Sequence, residues 1–334
     1  MFSLDDILKA TKSSDLFPPN LNEKEAKTRY QRFLRAAHPD VNPNRGTEAS
    51  IAFQRVTAFW NERTSNMSVF ESMGDGGVIR TKKGQYVYET PRYLVEGVGF
   101  AAIKHNPNSY LMFSTKPENT NSFVETLQIL NKVYNIQQNT GYYPEIKDSF
   151  LFTYKGTKVA GALLESKYAF KDLYTLRDIY VDYSEGLEDK IVAWLYLNIL
   201  RLLRGFEYAG YLHGAAFVDA FFINPVEGNF VVKDWHYSVK NGNFPRLVNR
   251  EALRYYPQEI NNFSGLTSAT DLTLSTQACL MLLSSKSDGS LESVLRNTIN
   301  FPGGSISHCI ERFESYVEDK FGSLEDIRFN MKRL

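Results

Sequence analysis

Cysteine is scarce in this sequence, and neither sign of charge is in excess. Cys279 and Cys309 are the only cysteines among the 334 residues. This argues against a disulfide framework or a zinc site made of thiolates, and it fits a reducing compartment. Lys plus Arg and Asp plus Glu both number 38. The balance argues against a protein whose main role is to coat nucleic acid, and we expect no nucleic-acid partner.

Long apolar runs are also lacking. The longest, VAWLYLNILRLL, contains Arg201 and is shorter than the roughly 20 residues that a membrane-spanning helix needs. The N-terminal stretch MFSLDDILKA has neither the basic start nor the continuous apolar run of a signal peptide. We therefore expect a cytoplasmic protein that has no membrane partner.

The residue pattern divides the chain into regions. A length of 334 residues favours about two domains of roughly 150 residues each. Residues 1–65 are helical in pattern, and residues 66–85 are polar and glycine-rich, as a linker or the first hairpin of a domain is. Aromatic and β-branched runs in 86–165 predict strands around one helical window, whereas 166–334 is mainly helical with a short pair of strands. The expected fold class is α+β.

Two amphipathic helices are predicted within the first 65 residues. The first spans residues 22–38 and separates an apolar face from a basic one. The basic face consists of Lys24, Lys27, Arg32 and Arg35. Pro39 biases His38 away from helical geometry and ends this helix. The second helix spans residues 47–63 and has an apolar stripe made of Ala52, Phe53, Val56, Phe59 and Trp60. When the two apolar faces pack together, the tripeptide His38-Pro39-Asp40 lies in the connecting loop.

This arrangement resembles a J domain over roughly residues 1–65, and Tyr30 lies at the family's distance before His38. The resemblance implies a cochaperone that docks on a DnaK-class heat-shock ATPase and stimulates its ATP hydrolysis. It assigns stimulation to the loop residues His38, Pro39 and Asp40. It assigns electrostatic docking to Lys24, Lys27, Arg32 and Arg35. A catalytic or metal-binding role for the loop finds no third ligand or nucleophile in the local sequence.

The order of elements in residues 193–239 gives a second resemblance. An apolar helix ends near Gly210, His213 opens a loop, and two short strands then lead to Asp234. This order resembles the catalytic-loop and metal-loop segment of protein kinases, and the resemblance extends over about residues 86–325. It implies a bilobal domain, in which the strand-rich region is the N-lobe and the helical region that follows is the C-lobe.

The kinase resemblance also gives roles to single residues. Lys116 corresponds to the phosphate-binding lysine, Glu125 to its ion-pair partner, and Asp234 to a nucleotide-binding residue that can hold a metal ion. ATP and Mg²⁺ are therefore the candidate cofactors. His213 and Asp271 correspond to residues with a structural role in the fold.

Two positions differ from those of an active kinase. The resemblance places the catalytic Asp at Ala215 and the second metal-binding Asn at Ala220. Loss of a positioned general base costs about 10²- to 10⁴-fold in rate, so no catalytic residues are expected. Asp219, four residues after Ala215, is a candidate substitute acid whose side-chain direction the sequence leaves open.

The leading hypothesis is a J-domain cochaperone whose pseudokinase domain binds a client or partner protein or senses nucleotide. Two alternatives remain open. One is a divergent kinase-like enzyme that transfers phosphoryl or nucleotidyl groups. The other is a scaffold that binds no nucleotide.

Overall fold

The computed structural model describes most of the chain. The described residues are 4–10, 13–18, 21, 23–37, 41–42, 45, 48–49, 52, 56, 60, 76–95, 97–116, 119–137, 140–244, 249, 252–257, 265–300, 302, 304–324 and 327–331. The chain divides into two compact units, Met1–Met73 and Gly74–Leu334. Each unit is described by itself.

The N-terminal unit is helical in its described part. It contains α1 (Leu4–Lys9), α2 (Ser13–Leu16) and α3 (Glu23–Ala36). The described residues at positions 48, 49, 52, 56 and 60 are helical as well. α3 begins and ends within two residues of the bounds that the amphipathic pattern predicts.

An apolar core joins these helices. Its buried members in them include Leu4, Ile7, Phe33, Ala49, Ala52 and Val56. Tyr30 of α3 stacks on Trp60, with 4.6 Å between the ring centroids. The two predicted apolar stripes therefore pack together where they are described. Phe53 and Phe59 of the second stripe lie outside the described residues.

The larger unit begins with an antiparallel sheet. Its strands are β1 (Gly77–Arg80), β2 (Gln85–Tyr88), β3 (Tyr93–Val95), β4 (Val98–Ile103), β5 (Asn106–Ser114), β6 (Glu145–Tyr154) and β7 (Thr157–Glu165). The helix α4 (Thr120–Gln137) connects β5 to β6. The strand order is β1-β2-β4-β5-β7-β6, and β3 pairs with β4. The central strands β4, β5 and β7 are buried on both faces, which explains their continuous apolar runs.

The β1–β2 hairpin covers one face of this sheet. Tyr86 and Tyr88 of β2 contact Phe150 and Phe152 of β6, with ring centroids 6.3 and 6.4 Å apart, and Ile79 of β1 is buried in the same cluster. The predicted linker therefore ends before β1, and its last residues belong to the sheet. A glycine-rich sequence suits a tight hairpin as well as a linker, so only the tertiary contacts distinguish the two.

Helices dominate the rest of the unit. The elements are β8 (Tyr174–Thr175), α5 (Leu176–Asp182), α6 (Asp189–Tyr208), β9 (Tyr211–Leu212), β10 (Phe221–Asn224), β11 (Asn229–Val232), β12 (Val239–Lys240), α7 (Ser268–Leu280), α8 (Ser290–Asn300) and α9 (Ile306–Phe321). Most of α6 is buried, as expected of an amphipathic helix with a wide apolar face. Within the described ranges, no helix combines the length and apolarity that crossing a membrane requires.

Candidate functional site

A buried carboxylate holds the loop after α6. Asp271 of α7 accepts hydrogen bonds from the backbone N–H of His213 at 2.7 Å and of Gly214 at 2.9 Å. His213 Nε2 lies 2.7 Å from the Lys233 carbonyl oxygen. A carbonyl oxygen can only accept, so Nε2 carries the proton. The structure thus brings together the two residues to which the kinase resemblance gives a structural role.

Burial shifts the pKa of both His213 and Asp271. It lowers the pKa of His213 to about 4 and raises the pKa of Asp271 to about 7, because a charged form is costly where water is excluded. His213 is therefore neutral near pH 7. The two backbone N–H bonds that Asp271 accepts oppose the effect of burial on its pKa.

The loop has no acid at the position of the catalytic base. Ala215 and Ala220 are each 1% exposed, so methyl groups occupy the interior there. Asp219 is bound by the guanidinium of Arg177, with Nε 3.1 Å from Oδ1 and Nη2 2.5 Å from Oδ2. This fork-shaped pairing is the strong geometry for an arginine and a carboxylate. The substitute acid considered from the sequence is therefore held in an ion pair.

Asp234 follows β11 in a left-handed backbone conformation, with φ 54° and ψ 21°. A residue other than glycine in this region costs roughly 1–3 kcal/mol and occurs preferentially at functional sites. The Lys233 ammonium donates to Asp234 Oδ1 at 2.8 Å and to the Asp219 carbonyl oxygen at 3.1 Å. The two side chains of the Lys233–Asp234 pair are 0% and 1% exposed. The neighbouring lysine thus neutralises the carboxylate that the kinase resemblance assigns to a metal ion.

Aromatic rings surround the Lys233 ammonium. Its Nζ lies 5.0 Å from the ring centroid of Phe100, 5.6 Å from that of Tyr93 and 5.7 Å from that of Phe222, within the range of cation–π attraction. Tyr93 and Phe100 belong to the sheet, on β3 and β4, whereas Phe222 belongs to β10 in the helical half. One buried cation therefore contacts both lobes.

Two further rings complete this aromatic cluster. Tyr110 of β5 stacks on Phe170 at 5.0 Å between centroids, and Phe222 lies edge-on to both rings, at 6.2 and 5.5 Å. Tyr110 is fully buried, and burial raises the pKa of its phenol far above the usual range. In the kinase resemblance, nucleotide binds between the lobes. Lys233 and these rings lie where the two lobes meet.

The side chains of the cleft leave few ligands for the Mg²⁺ that accompanies ATP. A kinase-like fold is compatible with both cofactors in general. Here Asp234 Oδ1 is bound to Lys233, and Ala220 has no atom that can ligate a metal. Among the described residues, no group of three or more His, Cys, Asp or Glu side chains is placed to hold a metal ion. Mg²⁺ at a nucleotide site needs only one or two protein carboxylates beside phosphate and water oxygens, and Asp234 is the candidate here.

Lys116 and Glu125, the predicted phosphate-binding pair, have exposed side chains. β5 ends at Ser114, so Lys116 lies beyond the strand, and its carbonyl oxygen accepts a hydrogen bond from Ser114 Oγ at 2.6 Å. The buried lysine next to Asp234 is Lys233. Sequence reasoning missed Lys233, although a signal was present. Lys233 directly follows the apolar strand NFVV, and a lysine there is expensive to bury unless it is paired.

His236 is a second residue to which the sequence reasoning gave no role. It lies in the 3-10 turn Trp235–Tyr237, which packs against α4. It is 4% exposed, and within the described structure neither ring nitrogen has a hydrogen-bond partner. Burial, with the charge of Lys233 as a further cause, holds the pKa of His236 well below its usual range. His236 is thus a neutral imidazole in an apolar environment.

The N-terminal unit presents part of its predicted basic face. Lys27, Arg32 and Arg35 of α3 have exposed side chains. Lys24 is on the same helix, but its side chain is outside what the structure describes. His38, Pro39 and Asp40 also lie outside the described residues. α3 ends at Ala36, just before this tripeptide.

Comparison with solved structures identifies the larger fold. The structure of vaccinia related kinase 3 matches with a TM-score of 0.55 at 14% identity, and the match covers 80% of this chain and 98% of that chain. The larger unit has a protein-kinase-like fold. This low identity establishes the fold alone, and many further solved structures match. No family model and no curated protein sequence matches the chain.

Proposed function

We propose that the protein is a J-domain cochaperone whose kinase-like unit binds a client or partner protein without nucleotide. In this proposal, the N-terminal unit docks on a DnaK-class heat-shock ATPase through α3. His38, Pro39 and Asp40 stimulate ATP hydrolysis, and the kinase-like unit selects what is delivered.

One observation carries the cochaperone proposal. The amphipathic helix α3 ends at Ala36, immediately before the His38-Pro39-Asp40 tripeptide. Its apolar face packs on helical residues from the other side of that tripeptide, as the Tyr30–Trp60 stack shows. The tripeptide therefore connects two packed helices, and the exposed cations of α3 leave a basic face for an acidic partner.

The cleft supports a role that does not depend on nucleotide. Lys233 and the aromatic cluster contact both lobes, so cation–π attraction joins the lobes without a ligand. Asp219 and Asp234 are both bound by cations, Arg177 and Lys233. This arrangement favours the scaffold alternative over nucleotide sensing and over a phosphoryl- or nucleotidyl-transferring enzyme.

The cochaperone proposal predicts stimulation of a partner ATPase. The measurement is the single-turnover rate of ATP hydrolysis by a DnaK-class ATPase with the full chain added. The wild type increases this rate, and His38→Gln returns it to the basal rate because the loop no longer presents its imidazole. Circular dichroism establishes that the variant is folded. Equal stimulation by wild type and His38→Gln contradicts the proposal.

The basic face provides a matched pair of variants for the same assay. Lys27→Glu combined with Arg32→Glu raises the concentration needed for half-maximal stimulation, because two exposed cations on α3 become anions. Lys9→Glu changes an exposed cation at the end of α1 and leaves that concentration unchanged. The effect of the α3 substitutions diminishes as salt is added, since salt screens surface charges.

A further inference from the structure

The sheet of the kinase-like unit has an open edge. β6 is the last strand in the order β1-β2-β4-β5-β7-β6, and it pairs with β7 along Glu145–Tyr154. Within the described ranges, no strand lies on the other side of β6. An edge strand of this length offers backbone donors and acceptors to another extended chain.

The turn after β6 determines which backbone groups point to that edge. Lys155 and Gly156 have φ values of 47° and 77°, as in the two-residue type I′ turn that makes Tyr154 and Thr157 a hydrogen-bonded pair. Successive residues of an antiparallel strand point their N–H and C=O groups to alternate sides. The backbone groups of Thr153 and Leu151 therefore point away from β7, and both residues are exposed.

An apolar groove runs beside this edge. A cavity of about 760 Å³ lies between α4 and β6, and its lining includes Val124, Leu127, Asn131, Ile146, Leu151 and Gly161. Val124 and Leu151 are 45% and 54% exposed, which is high for large apolar side chains next to each other in one groove. Phe150 and Phe152 of β6 face the β1–β2 hairpin, so by alternation Leu151 faces the groove.

The charged groups of the groove are already hydrogen-bonded. The Lys83 ammonium donates to the Lys147 carbonyl oxygen at 2.6 Å, and the Lys147 ammonium pairs with Glu145 at 2.8 Å. Asp148 Oδ2 accepts a hydrogen bond from Thr81 Oγ at 2.6 Å. An occupant that suits this lining has an extended backbone and uncharged side chains.

We propose that this edge and groove bind an extended, uncharged peptide segment that has apolar side chains at alternate positions. The segment adds a strand to the edge of β6. It runs antiparallel to β6, since all paired strands of this sheet are antiparallel. Its backbone bonds to Leu151 and Thr153, and every second side chain packs between Val124 and Leu151. The proposal deepens the proposed function, because non-native client polypeptides present such segments, but the binding step itself does not require the ATPase.

The test uses a fluorescein-labelled short peptide of alternating leucine and threonine, titrated with the full chain and followed by fluorescence anisotropy. We expect saturable binding. A second peptide has the same sequence but is N-methylated at alternate residues, which removes the backbone donors on one side. Its affinity falls about ten-fold or more if the peptide pairs with the edge of β6. Equal affinity of the two peptides overturns strand addition.

Two substitutions and their controls locate the site. Val124→Asp weakens binding about ten-fold or more, because the groove must desolvate the new carboxylate. Ile136→Asp changes a residue of the same helix that is 53% exposed and does not line the groove, and it leaves binding unchanged. Leu151→Lys weakens binding in the same way, and Val226→Lys, at a residue that is 57% exposed, is its control.

The remaining outcomes are also decisive. No binding of the first peptide, or equal binding by Val124→Asp and Ile136→Asp, overturns the proposal. Sedimentation equilibrium of the full chain alone tests the other occupant, because a dimer that Leu151→Lys dissociates assigns this edge to a second copy. Failure of the ATPase assay contradicts the cochaperone proposal but does not affect peptide binding, so the two failures are distinguishable.

Discussion

Lys233 is the residue around which the cleft is organised. It is fully buried, yet its ammonium has an ion pair with Asp234, a carbonyl acceptor on Asp219 and three aromatic rings within cation–π range. Such partners offset the desolvation of a buried charge, which is otherwise prohibitive. Asp234 keeps the left-handed backbone of a functional turn, while its carboxylate serves an internal cation.

His236, unlike Lys233, is buried without partners among the described residues that offset its desolvation, so its replacement by an apolar residue is expected to stabilise the protein. Its two ring nitrogens are buried without a hydrogen-bond partner in the described structure. His236→Leu removes both and is expected to raise the free energy of unfolding by about 1–3 kcal/mol, the usual cost of a buried unsatisfied group. Urea unfolding at about pH 7.5 measures this, given an unfolded-state pKa near 6.5. A loss of stability contradicts the prediction.

The stability that His236→Leu gains over the wild type is expected to depend on pH. The pKa of His236 is well below its usual range in the folded protein, so the unfolded chain binds the proton more readily. The wild type therefore loses stability as pH falls below about 6.5, and His236→Leu lacks this loss. The difference in the free energy of unfolding between His236→Leu and the wild type therefore grows as the pH falls from about 7.5 to about 5.5. His213 and Asp271 are present in both proteins, so only the difference between the two pH profiles is attributed to His236.

Glu207 connects three helices at the scale of elements. It lies in the last turn of α6, and its carboxylate accepts from Ser268 Oγ at 2.8 Å at the start of α7. It also accepts from the backbone N–H of Ile306 at 2.9 Å and of Ser307 at 3.3 Å, at the start of α9. An anion at a helix N-terminus satisfies donors that lack intrahelical partners and complements the helix dipole.

We therefore expect Glu207→Ala to destabilise the larger unit by about 2–3 kcal/mol, because several donors lose a charged acceptor at once. Urea unfolding measures the loss, and hydrogen exchange at the start of α9 locates it. Glu314→Ala is the control, since Glu314 forms a half-exposed pair with Arg201, which is worth at most about 1 kcal/mol. Equal losses in the two variants contradict the role of Glu207.

At the scale of the whole molecule, the two lobes of the kinase-like unit are joined by side chains around Lys233. Phe222 and the sheet residues Tyr93, Phe100 and Tyr110 share ring contacts, and Lys233 lies beside them. The contact between the lobes at this point therefore depends on the protein's own side chains. The edge of β6 is the surface that we propose for a peptide partner.

This leads to a prediction for ATP and Mg²⁺ in thermal-shift titrations of the full chain. A ligand at 100 times its Kd stabilises by about 2.7 kcal/mol, which raises Tm measurably. We expect no rise here. We also expect Lys233→Met to lower Tm, because breaking a buried ion pair costs about 3–5 kcal/mol, whereas Lys116→Met at an exposed lysine leaves it unchanged. A rise with ATP and Mg²⁺ that Asp234→Asn abolishes would establish nucleotide sensing instead.

Local pattern predicted several parts of this molecule. The amphipathic period placed α3 within two residues, and the alternation of element types indicated a strand-rich region followed by a helical one. The sequence order from His213 to Asp234 pointed to a kinase-like fold, which the structural comparison supports. These features depend on residues close together in the chain, so a single sequence contains them.

Tertiary structure decided the rest, because it depends on contacts between distant residues. Whether the glycine-rich stretch before Gly84 is a linker or a hairpin depends on the contacts of Tyr86 and Tyr88 with β6. Which lysine enters the cleft depends on where β5 ends and on the rings that meet Lys233 from both lobes. The sequence by itself determined the helices, the tripeptide between them and the kinase-like order of elements. The fold alone determined that a buried Lys233–Asp234 pair lies between rings of both lobes, because burial and pairing are properties of packed side chains.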